Sequence, residues 1–95
     1  CKNRMVEAVI MLYLDMHPDA TIEELKHIFP KELQGSIGVI KDKDEAISDK
    51  NRFFDATHPA TKEPFYICNQ WGLQTDKFMD YVNEHIDGIT ITKKV

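Results

Sequence analysis

Cysteine is scarce in this chain, basic charge is in deficit, and no long apolar run exists. Two cysteines, Cys1 and Cys68, in 95 residues cannot build a disulfide framework. A Cys1–Cys68 bridge is not expected, and a reducing cytoplasm is the default setting. Twelve Lys and Arg against sixteen Asp and Glu leave a formal charge of -4. That balance argues against a domain held on DNA mainly by counterion release, though not against a local basic patch. The apolar stretch at residues 8–14 falls far short of the ~18 residues a membrane span needs. It also lacks the small-residue cleavage site of a signal peptide. Gly35, Gly38, Gly72 and Gly88 are scattered and make no phosphate-binding loop. None of His17, His27, His58 and His85 pairs with another His or Cys at metal-ligand spacing,. No catalytic residue, metal or cofactor is therefore expected.

What is present is an ordinary globular composition, 42% apolar and 29% charged, enough for one modest core. Residues 1–95 read as a single domain. The chain starts at Cys1 with helix-like sequence at once, so it reads as a piece of a longer protein whose chemistry lies elsewhere.

At 100° per residue, Met5, Val6, Val9, Leu12, Tyr13 and Met16 share one face of a helix over residues 3–17,. Met11 and Leu14 fall on the polar side and are candidates for a second apolar contact, with a twin subunit or with the rest of the parent chain. His17-Pro18 stops the helix. Thr21 and Glu24 form a capping box for a second helix with Ile22, Leu25, Ile28 and Phe29 as its stripe,. Pro30 ends it, with one further turn at residues 31–34. Ile37, Val39 and Ile40 suggest a first strand. Residues 41–51 read as a mobile charged loop. Residues 52–69 make a hairpin whose long tip, Asp55–Pro64, carries His58, read as a surface contact,. Thr75 caps a last helix with Phe78, Met79, Val82 and Ile86 buried, and Ile89–Thr92 alternates as a closing strand,. The order predicts an α+β domain: two N-terminal helices, a small, mostly antiparallel sheet, then a C-terminal helix and strand. A helix pair followed by a hairpin is also winged-helix-like.

Two groups of candidate binding residues emerge. Phe65–Cys68 ends in Asn69, Gln70, Trp71 and Gly72 just before a helix. Amides beside the sole tryptophan could read a ligand edge; the plainer reading makes Trp71 core and the amides loop support. Lys41, Lys43, Lys50, Arg52 and Lys62 could touch phosphates on a winged-helix frame, or simply share a solvated loop with Asp42, Asp44, Glu45 and Asp49. Those acids lack the glycine and terminal glutamate of a calcium loop. Asp55, Lys62 and Glu63 do not make a nuclease triad.

Thr21-Ile22-Glu23-Glu24-Leu25 with Phe29-Pro30, Arg52-Phe53-Phe54, Cys68-Asn69-Gln70-Trp71-Gly72 and the Phe78 helix together resemble a small bacterial domain found at the ends of restriction-type and other DNA-processing or defence proteins. The resemblance spans nearly the whole chain and carries no catalytic residue. It implies a winged-helix-like accessory domain serving a larger machine. The expected function is a non-catalytic interaction module, with other domains of the parent protein and DNA as candidate partners. Self-association into a homodimer is the alternative. A small enzyme with a cleft near Cys68 and Trp71 is the remote one.

Overall fold

The computed structural model describes residues 2–35, 38–45, 50–72 and 74–92, with the side chains of residues 2, 3 and 50 left aside. Helix α1 spans Lys2–Met16 and α2 spans Ile22–Ile28. Between them the residue before Pro18 leaves the helical region, and the Ala20 N–H bonds the His17 carbonyl at 3.0 Å to close the turn,. The predicted capping box is in place. The Thr21 hydroxyl accepts from the Glu24 N–H at 3.0 Å, and the Glu24 carboxylate accepts from the Thr21 N–H at 3.1 Å,. After Pro30, a single 3-10 turn at Lys31–Leu33 leads toward the sheet.

The sheet holds β1 (Ile40–Asp42), β2 (Phe53–Thr57) and β3 (Pro64–Cys68) in the order β1-β3-β2. Both neighbours run antiparallel to β3, so β1 and β2 run parallel to each other on its two sides. Helix α3, Gln74–His85, follows β3. The molecule is an α+β domain with a small antiparallel sheet. No described helix is long and apolar enough to cross a membrane.

The core lies between the helices and the Ile40/Phe65/Ile67 side of the sheet. A row of rings ties the elements together. Tyr13 meets Phe29 edge-on at 5.7 Å, Phe29 stacks on Phe78 at 5.9 Å, and Phe78 takes the Trp71 edge at 5.0 Å. Each such pair adds roughly 0.5–1.5 kcal/mol beyond its burial.

Four expectations need correction. Helix α1 buries Val6, Val9, Ile10 and Leu14 and exposes Leu12 and Met16. Taking 100° per residue, the buried face is rotated by about 80° from the predicted one. Residues 9–14 are apolar on every side, so periodicity could not choose the face. Leu14 is fully enclosed, and Met11 packs against the core. Leu14 thus has no surface to offer a partner. The closing strand is also absent. Residues 89–92 pair with no strand, because the Asn83 amide bonds both the N–H (2.7 Å) and the carbonyl (3.0 Å) of Ile91. Thr75 lies inside α3 and donates to the Gly72 carbonyl at 2.9 Å, so it is not the cap. The first strand begins at Ile40 and runs on to Asp42; Ile37 lies outside the described residues.

Candidate functional site

The β3–α3 junction is built from inside out. Trp71 is buried, and its indole N–H donates to the Cys68 carbonyl at 2.7 Å. Gln34, from the turn after α2, donates its amide to the Gln70 carbonyl at 2.8 Å. Asn69 donates to the Asn51 carbonyl at 3.0 Å, and its own amide oxygen accepts from the Gln70 side chain at 2.6 Å. The Asn69 amide therefore ties the end of β3 to the turn before β2. Trp71 and Asn69 are engaged in these contacts, and Gln70 is the exposed member. Cys68 is enclosed, and burial pushes its thiol up despite the opposing pull of the Gln70 N–H and Arg52. A thiol held protonated is a poor nucleophile.

The basic candidates are not gathered. Lys43 follows β1 at the Phe65 end of the sheet, whereas Arg52 precedes β2 at the Cys68 end. Both are exposed. The Lys50 side chain lies outside the described residues. Lys41 pairs with Glu45 at 3.5 Å, and Lys62 donates to the Pro59 carbonyl at 3.0 Å.

The front of the charged loop is pinned. Lys26 on α2 bonds Asp42 at 2.8 Å and also bonds Glu45, while Asp42 caps the N–H groups of Asp44 and Glu45 at 2.9 and 3.0 Å. The Lys26 bond holds the Asp42 carboxyl below its ordinary range against the effect of burial. For Glu45, burial pushes up, but Lys26 and the Asp42 N–H outweigh it and the net direction is down. Burial likewise opposes the charge on Lys26, and the two carboxylates overcome it, so its ammonium titrates above the ordinary range. The α2 lysine that a helix-turn-helix would present to a phosphate is committed to these acids. Residues 46–49 of the predicted mobile loop lie outside the description. Among the described residues no His, Cys, Asp and Glu group could hold a metal.

His58 is the largest correction. It is fully enclosed, not a surface contact. Its Nε2 donates to the Ala20 carbonyl at 2.7 Å, and its Nδ1 accepts from the N–H groups of Ala60 and Thr61 at 3.0 and 3.2 Å. Two donors on Nδ1 fix the tautomer with hydrogen on Nε2. The hairpin tip is thereby fastened to the α1–α2 turn.

What sequence reasoning missed is a groove of about 410 Å³ where α1 and α3 end. Tyr13, Met16, His17, Ile28, His85 and Ile86 line it. Each of the two histidines in the lining has a Tyr ring one turn earlier: Tyr13–His17 rings lie 4.5 Å apart and Tyr81–His85 rings 4.8 Å, with Tyr13 in the lining and Tyr81 outside it, bonded through its hydroxyl to the Ile28 carbonyl. Burial pushes both Tyr13 and Tyr81 phenols up, with Glu24 adding to the effect at Tyr13. Among the described residues, Leu12 and Met16, 46% and 41% exposed, are the large apolar side chains most open to solvent. The Tyr-x-x-x-His repeat was readable in the sequence; the meeting of His17 and His85 in one groove was not.

No protein-family model, no curated protein and no solved structure matches the chain.

Proposed function

We propose that this chain is a non-catalytic interaction module of a larger protein, and that it docks an apolar helical segment with basic flanks in the α1/α3 groove. The observation that carries the reading is the exposure of Leu12 and Met16 beside that groove. On α1, Leu12, Asp15 and Met16 lie on one stripe; Asp15 is exposed beside Met16, and Asp87, also exposed, lines the groove. An apolar strip rimmed by carboxylates selects a partner with Leu-type contacts and Lys or Arg at its ends. A second copy would set acid against acid, so a different chain or domain is the occupant.

The resemblance to accessory domains of bacterial DNA-processing proteins supplies a setting in which such a module would serve. Direct DNA contact is the weaker reading, because Lys26 is already paired and Lys43 and Arg52 stand at opposite ends of the sheet.

The test titrates a Leu-faced, Lys-flanked helical peptide, its Glu-flanked counterpart and a short DNA duplex against the protein at low salt. Binding of the Lys-flanked peptide alone, abolished in the Leu12→Glu/Met16→Glu variant with its circular dichroism unchanged, is the expected outcome. Binding that ignores the double substitution would overturn the docking surface. Salt-sensitive duplex binding weakened by Arg52→Glu would restore the DNA reading.

A further inference from the structure

The two edges of the sheet are treated differently. At the β1 edge the strand is three residues long, its Asp42 N–H is taken by the Glu45 carboxylate at 3.2 Å, and Lys26 reaches over from α2. That edge is closed. At the β2 edge no described strand pairs on the outer side.

The hydrogen-bond alternation shows which groups are open. The Asn69 N–H bonds the Arg52 carbonyl at 2.8 Å and the His58 N–H bonds the Glu63 carbonyl at 2.9 Å. With the register Phe53↔Cys68 to Thr57↔Pro64, every second residue faces β3 with its backbone: Arg52, Phe54, Ala56 and His58. Pro64, which has no N–H, falls opposite Thr57, where none is required. Asp55 and Thr57 therefore point their N–H and carbonyl groups away from the sheet, at intervals of ~6.8 Å, and Phe53 does so with its carbonyl, its N–H closing the 3-10 turn at Lys50–Arg52,.

Such an edge is a template for another strand. Its centre selects the occupant. Asp55 is exposed at the middle of the five residues. Antiparallel pairing with a second copy, centred for full overlap, sets Asp55 directly against its own twin, roughly 5.5 Å apart between Cα atoms, and like charges there are unfavourable. Registers that separate the carboxylates leave only three residues paired. A strand with Lys or Arg opposite Asp55 turns the repulsion into attraction and keeps every backbone bond.

We propose that β2 is a strand-addition site for an extended segment of another protein that places a Lys or Arg opposite Asp55. The site is separate from the α1/α3 groove and stands or falls independently of it.

The experiment uses the peptide Thr-Val-Thr-Lys-Thr-Val-Thr and its Glu-for-Lys counterpart, followed by amide hydrogen exchange. In the free protein the Asp55 and Thr57 amides exchange much faster than those of Phe54 and Ala56. The Lys peptide slows both at least tenfold and the Glu peptide does not. Asp55→Lys, an exposed change that leaves the fold intact, reverses the preference. Leu12→Glu/Met16→Glu, which disables the groove, leaves the protection unchanged. The proposal is overturned if neither peptide protects the Asp55 and Thr57 amides, if both protect equally whatever stands at residue 55, or if the amides are protected without peptide as protein concentration rises.

Discussion

Removing the His58 ring should loosen two parts of the molecule at once. The side chain is fully buried and makes one bond to the α1–α2 turn and two to the hairpin tip. Losing the Nε2 donor orphans the Ala20 carbonyl, which costs about 1–3 kcal/mol. Losing the Nδ1 acceptor frees two N–H groups at a tip that water can partly reach, at about 1 kcal/mol. The void left by the ring adds to both. His58→Ala should therefore destabilise by about 3–5 kcal/mol, a large part of the ~5–15 kcal/mol typical of a domain. Two further variants divide the sum. His58→Asn keeps an oxygen where Nδ1 stood and restores the tip, as an Asx turn does, but cannot reach Ala20; it should lose about 1–3 kcal/mol. His58→Gln keeps a donor near Nε2 and should lose about 1 kcal/mol. Urea unfolding followed by Trp71 fluorescence and circular dichroism measures all three, and in a chain of this length each kcal/mol lost lowers Tm by about 4–8 °C. The reasoning is refuted if His58→Ala stays within about 0.5 kcal/mol of the parent, the range of an ordinary surface change.

Two more outcomes follow from the junction and from the charged loop. Trp71→Ala removes a buried indole, its bond to Cys68 and its edge contact with Phe78; it should lose about 3–5 kcal/mol, and a stably folded Trp71→Ala variant at near-parent stability would instead mark the junction as a ligand platform. Asp42 and Glu45 titrate lower in the folded chain than their ordinary 3.8 and 4.5, so their contribution to stability is full above those values and is lost as pH falls through the lower folded ones. Lys26, raised above 10.5, contributes fully below that value and loses its share as pH rises past it,. Lys26→Met should flatten the acid limb of stability against pH, and an unchanged slope would deny the pairing.

Local chemistry was legible wherever a few neighbouring residues decide the outcome. The Thr21–Glu24 box, the Pro18 stop and the turn after Pro30 all depend on backbone groups within four or five positions. The hairpin was legible in outline, but its tip was drawn too long, since Asp55, Ala56 and Thr57 pair with Tyr66, Phe65 and Pro64. The core role of Trp71, with its N–H on a carbonyl, was one of the two readings weighed. Features set by distant partners were not legible. Met11 and Leu14 were assigned to the open face because residues 9–14 are apolar all round, and only packing against the rest of the core chose which side of α1 to bury. The closing strand had the right alternation, but the Asn83 amide took the Ile91 groups that a ladder would have used. His58 looked exposed because its tip is polar and proline-bearing; its partner lies 38 residues away.

The sequence by itself determined the α+β class, the helix boundaries around Pro18 and Pro30 and the lack of a recognisable catalytic signature, since these rest on short-range sterics, capping and composition. Only the tertiary structure decided that Lys26 is spent on Asp42 and Glu45, that Tyr13, His17 and His85 meet in one groove, and that β2 is left with an open edge around Asp55. Those outcomes depend on which elements meet in space, and burial and long-range pairing settle that only when the whole chain has folded.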